Sequence, residues 1–127
     1  MSRRLRQTIL ILEDDESLLT LYGKVLHRAG YEVNSATTID QAKALLAKKR
    51  YDLLVTDLSV AGGKKVFELV SSARADQPGI VVLIVTGFSP EDICAEAKQR
   101  GLEVMEKPFT PLDLVVRISS LLAAQAA

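Results

Sequence analysis

Residues 8–16 read Thr8-Ile9-Leu10-Ile11-Leu12-Glu13-Asp14-Asp15-Glu16. An apolar run stops abruptly at four consecutive acids. The run is too short for a secretory signal, which needs roughly 7–15 apolar residues, or for a membrane helix, which needs about 20. Unbroken apolar texture of this length instead marks a strand buried on both faces, as in a parallel sheet. The acids then fall where the strand emerges.

Outward from this strand, short apolar runs alternate with amphipathic stretches. The first strand is predicted over residues 8–13. A helix over 16–29 follows, with Leu18, Tyr22, Val25 and Ala29 at three-to-four spacing and Gly30 as its stop. Further strands are predicted over 31–36, 51–57, 80–86 and 102–106. Between them lie helices over 38–48, 65–74 and 90–100. Thr38 with Gln41 fits a capping box. Ser89-Pro90 and Thr110-Pro111 each read as a helix start, with a hydroxyl cap and proline in the first turn. Strict alternation of strand and helix implies α/β architecture: a doubly wound parallel sheet with helices on both faces. Val81 to Val85 is unbroken and apolar, whereas Tyr31-Glu32-Val33-Asn34 alternates and Leu102 to Glu106 is mixed. Strands two and five are therefore the expected edges. The five-stranded flavodoxin-like order 2-1-3-4-5 has those edges, and such sheets bind ligands at the carboxyl ends of their strands.

The 127 residues suit one domain, and 48% hydrophobic with 25% charged residues is ordinary globular composition. Lys plus Arg and Asp plus Glu both number 16. Zero net charge argues against a nucleic-acid binder working by bulk electrostatics. Cys94 is the only cysteine, so no internal disulfide forms and a cytoplasmic setting is expected, with no membrane association. Arg3, Arg4 and Arg6 read as a solvated tail over residues 1–7.

Four predicted strands deliver chemistry to one rim. Strand one ends in Glu13, Asp14, Asp15 and Glu16, strand three in Asp57, strand four in Thr86 and strand five in Lys107-Pro108. Each alone has a bland reading: a helix cap, a turn residue, a β-branched strand residue, a solvated lysine. Together they fit phosphoryl chemistry. Converging carboxylates repel unless a cation sits among them, and hard oxygen ligands suit Mg²⁺. A carboxylate attacking a phosphoryl group needs its negative charge neutralised by metal and ammonium, with a hydroxyl on a phosphoryl oxygen. The product would be an aspartyl phosphate.

The runs Ile9 to Glu16, Asp52 to Leu58, Val82 to Gly87 and Glu106 to Phe109 resemble the receiver domain of bacterial two-component response regulators (CheY-like), over residues 8–122, with 123–127 as a tail. The resemblance implies a phosphoacceptor signalling domain rather than a true enzyme, which assists its own phosphoryl transfer and dephosphorylation. It implies Asp57 as acceptor from a histidine kinase or phosphotransfer protein, and Thr86 and Lys107 on the phosphoryl group. Mg²⁺ would be held by Asp14, Asp57, the Ser59 carbonyl and, through water or weakly, Glu13. The peptide before Pro108 would be cis. Asp15 is read mainly as the cap of the first helix. A receiver-like protein-interaction module without phosphorylation is the alternative.

Two departures from the family pattern stand out. After the acceptor the run is Ala61-Gly62-Gly63-Lys64-Lys65 rather than the usual proline and glycine-x-aspartate-glycine, and Lys64 and Lys65 read as a solvated helix start. Three residues before Lys107, where the family usually carries an aromatic, stands Val104. His27 is expected at the surface and Cys94 as a small buried hydrophobe. A flavin-binding domain is disfavoured by four acids where its phosphate loop would lie. A hydrolase using an aspartyl-phosphate intermediate would place a second aspartate at position 59, which is serine here. The downstream protein or effector domain is not legible; residues 121–127 read as neither linker nor effector.

Overall fold

The computed structural model describes residues 6–60, 64–87 and 91–126. Five strands and five helices alternate: β1 Thr8–Leu12, α1 Glu16–Arg28, β2 Glu32–Ala36, α2 Ile39–Lys48, β3 Leu53–Asp57, α3 Lys64–Asp76, β4 Val81–Thr86, α4 Glu91–Gln99, β5 Glu103–Glu106 and α5 Pro111–Ala126. All strand pairings are parallel, in the order β2-β1-β3-β4-β5. The two strands with mixed texture are the edges, as expected.

The central strands bury alternate residues on opposite faces. Leu10, Leu12, Leu54, Val82 and Ile84 pack toward α2, α3 and α4. Ile9, Ile11, Leu53, Val55, Leu83 and Val85 pack toward α1 and α5. A period of two with no polar interruption is what a sheet covered on both sides requires. Each fully buried Leu or Ile contributes about 1.5–3 kcal/mol relative to exposure.

Element ends differ from expectation in instructive ways. The buried stripe of α1 is Leu19, Tyr22 and Leu26. Leu18 and Val25 flank it, and Ala29 is the exposed C-cap. The helix is rotated to put its largest side chains at the centre of the seam. Gly30 takes φ 103° just past that cap, which a side chain would disfavour. Thr38 does cap α2 through its hydroxyl, 3.2 Å from the Gln41 N–H, but Gln41 Oε1 accepts from the Thr37 N–H at 2.8 Å rather than from Thr38. Thr110 and Asp113 form the fully reciprocal box at α5, at 3.1 and 2.9 Å. Helix α5 runs to Ala126, through most of the expected tail, because Ala123 and Ala124 are strong helix formers. Cys94 is half-buried, not buried, because its position on α4 lies at the margin of the packed face. His27 is exposed. The expected Ser89-Pro90 helix start and the run Ala61 to Gly63 lie outside the described residues.

Candidate functional site

Parallel pairing brings the ends of β1, β3, β4 and β5 to one rim. Asp57 is the last residue of β3, in register with Val85, and Leu58 N–H donates to the Val85 carbonyl at 2.9 Å. The strand thus hands over to its loop under hydrogen-bond control, and Asp57 is only 3% exposed. Its Oδ1 accepts from both the N–H and the hydroxyl of Ser59, at 2.8 and 2.7 Å. Its Oδ2 accepts from Lys107 Nζ at 2.7 Å.

Glu13 follows β1 directly and is equally buried. Its Oε1 lies 3.3 Å from Lys107 Nζ, and its Oε2 accepts from the Asp15 N–H at 3.1 Å. Asp15 is the N-cap of α1, accepting from the N–H groups of Ser17 and Leu18 at 2.9 and 3.2 Å. Asp14, between them, is exposed at the rim. Thr86 closes β4 and is buried.

Lys107 is held at several points. Its N–H donates to the Thr86 carbonyl at 2.7 Å, its stem lies beside Gly87, and its peptide bond to Pro108 is cis. Phe109 then stacks on Tyr22 of α1, with ring centroids 5.9 Å apart and planes at 22°. Such offset stacking adds about 0.5–1.5 kcal/mol beyond burial.

The charges tune one another. Burial alone would raise the Asp57 pKa, but the hydrogen bonds from Lys107 and Ser59 outweigh it and hold the carboxyl below its ordinary range. Burial likewise works against the Lys107 ammonium; its bond to Asp57 and the charges of Asp57 and Glu13 win, raising its pKa. Glu13 goes the other way. Burial dominates and pushes it up, helped by the Asp57 charge, despite the Asp15 N–H and Lys107.

The structure therefore brings together Asp57, Glu13, Thr86, Lys107 and Ser59, with Asp14 beside them. Among the described residues no group of three or more His, Cys, Asp or Glu is arranged as a ready metal cage. The Lys107 ammonium, bonded to both buried carboxylates, takes that bridging place. The donor chemistry nonetheless fits a hard divalent cation: Glu13 and Asp57 are two buried carboxylates meeting at one ammonium, with the exposed Asp14 next to Glu13 in the chain. Besides the Lys107 bridge, sequence reasoning missed the Ser59 hydroxyl on Asp57 and the Tyr22–Phe109 stack. An aromatic on the buried stripe of α1 and another two residues after the lysine were the available signals for the stack.

A five-stranded sheet of this order is shared with receiver domains of known structure. The family model described as "Response regulator receiver domain" matches residues 9–119. The phosphate regulon transcriptional regulatory protein PhoB of Pseudomonas aeruginosa is 31% identical over 91% of this chain and 52% of its own length. The response regulator receiver protein CpdR of Brucella abortus is 31% identical over 91% of this chain and 97% of its own. A CheY-like receiver domain protein from Methanospirillum hungatei superimposes with TM-score 0.87 at 27% identity, covering 95% of this chain and 97% of that one. The chain belongs to the response regulator receiver family, a family of signalling domains rather than enzymes in the usual sense. It spans about half the length of PhoB. No helix among the described residues is long and apolar enough to cross a membrane.

Proposed function

We propose that this domain accepts a phosphoryl group on Asp57 from a histidine kinase or phosphotransfer protein in the cytoplasm, and thereby changes its affinity for a downstream protein or effector domain. The receiver unit is residues 8–122. The observation that carries this reading is the 2.7 Å contact between Lys107 Nζ and the buried Asp57 carboxylate. A purely structural ion pair has no need to sit at the mouth of a parallel sheet with two more acids beside it.

The chemistry follows from the side chains. Asp57 stays ionised through neutral pH because its pKa is lowered, so the nucleophile is available. One of its oxygens forms a bond to phosphorus as the donor's phosphorus–nitrogen bond breaks, and the leaving imidazole keeps the electron pair and takes a proton. Lys107 shifts from carboxylate to phosphoryl oxygen, and Thr86 offers its hydroxyl to another. Mg²⁺ held by Glu13, Asp14, Asp57 and the Ser59 carbonyl would neutralise the phosphoryl charge. The test is labelling by a small phosphodonor such as acetyl phosphate with Mg²⁺, read by intact mass and peptide mapping. Parent protein should label at Asp57 and Asp57→Asn should not. Equal labelling of both would leave the reading without support and favour the alternative, a receiver-like interaction module that is not phosphorylated.

A further inference from the structure

The lysine that touches Asp57 is fixed from two sides, and only one belongs to the sheet. On the sheet side, Lys107 N–H is bonded to the Thr86 carbonyl. On the other, the chain passes through Pro108 to Phe109, whose ring lies on Tyr22. Tyr22 belongs to α1, whose cap Asp15 directly follows Glu13 and Asp14. The stack therefore ties the loop that carries the lysine to the helix into which the acid-bearing loop leads. Tyr22 is buried, and its phenol is pushed up in pKa first by that burial, with Lys107, Glu13 and Asp57 all acting on it. The ring stands within the field of the site.

We infer that Tyr22 is a positioning residue for phosphoryl transfer: by stacking on Phe109 it sets the distance from Lys107 to Asp57. This rests on the reading of Asp57 as acceptor. A residue that only fills the core could be exchanged for another apolar side chain with a cost in stability and none in rate. A positioning ring could not, because small displacements of a charge-stabilising group are costly in rate.

The experiment measures the maximal rate of Asp57 phosphorylation by acetyl phosphate, a small donor that needs no docked protein partner, at saturating Mg²⁺. Tyr22→Leu should lower that rate about tenfold with little change in the donor concentration giving half the maximal rate. Tyr22→Phe should restore it, since the ring is kept. Phe109→Leu, at a half-buried position, tests the same stack from its other side, and the double variant should be no slower than either single one. Leu26→Val, buried on the same helix but farther along from the site, controls for loss of stability and should keep the parental rate. Parental rates in both Tyr22→Leu and Phe109→Leu overturn the inference, as does an equal fall in Leu26→Val. If the parent itself is not labelled at Asp57, the acceptor reading falls and this inference falls with it. If the parent labels normally and the leucine variants match it, only this inference falls.

Discussion

The main-chain N–H of Lys107 donates to the carbonyl of Thr86 across 2.7 Å, so the ends of β5 and β4 are fixed as a pair. The hydroxyl and the ammonium assigned to the phosphoryl group thus share one backbone hydrogen bond. That bond survives loss of the lysine side chain. Lys107→Ala should therefore fold, while leaving Glu13 and Asp57 without their bridging cation. We predict a loss of about 1–3 kcal/mol in urea unfolding in metal-free buffer, and slowing of acetyl phosphate labelling on the order of a hundredfold. Parental labelling by the alanine variant would remove Lys107 from the transfer step.

Stability should respond to pH with opposite signs at the two buried acids. Asp57 is depressed below its ordinary 3.8, so its contribution is present above that pH and lost as pH falls through its folded pKa. Glu13 is raised above its ordinary 4.5, so its contribution is present below that pH and lost as pH rises through its folded pKa. Ionised Glu13 is thus a burden in metal-free protein at neutral pH. Glu13→Gln, measured with chelator present, should be more stable than the parent at neutral pH, with the gap closing below about pH 4.5. A gap that is constant from acid to neutral pH would contradict this assignment.

Gln77 offers a prediction remote from the rim. Its buried amide accepts from the Tyr51 N–H at 2.7 Å and donates to the carbonyls of Leu46 and Lys49 at 3.0 and 2.8 Å. One side chain thereby satisfies the end of α2 and the entry to β3. Gln77→Leu keeps the volume but strands these groups, and should cost about 2–4 kcal/mol. Acetyl phosphate labelling at a temperature where the variant is folded should match the parent's.

Much of this was legible because the controlling signals are local. Unbroken runs such as Val81 to Val85 reveal strands covered on both faces, and acids or a hydroxyl at their ends mark the rim. The rotation of α1 was not legible: Leu18 and Leu19 are adjacent, as are Val25 and Leu26, and only packing against the sheet selects the second of each pair. The contacts of Gln77 and of the Ser59 hydroxyl were hidden for a related reason. They join segments whose approach is set by the assembled fold, so no spacing in the chain announces them. The ammonium bridge between Glu13 and Asp57 combines residues 94 and 50 positions away from Lys107, and was read from the sequence only as a later contact to phosphate.

The last prediction concerns how phosphorylation would travel outward. Val104 lies on edge strand β5, opposite Ile84, half-buried against the core beneath α4. It occupies the place of the aromatic that the resemblance leads one to expect, and it has no ring to bury or expose. A two-state switch needs contacts that differ between its states. Here Thr86 can supply one by turning its hydroxyl to the phosphoryl group, but the strand beside it has little side chain with which to follow. The C-terminal end of α4 is also braced: Arg100 pairs with Glu96 at 2.6 Å and lies over the Phe67 ring of α3 at 4.9 Å, while Arg74 donates to the Arg100 carbonyl at 3.0 Å. We expect a beryllofluoride phosphoryl mimic to shift amide signals strongly around residues 57–59 and 86–87, and only modestly across α4 and β5. Val104→Tyr should enlarge the response of α4 and β5 without changing that at the acceptor. If the parent already responds across α4 and β5 as widely as the tyrosine variant, then valine at 104 does not limit the switch.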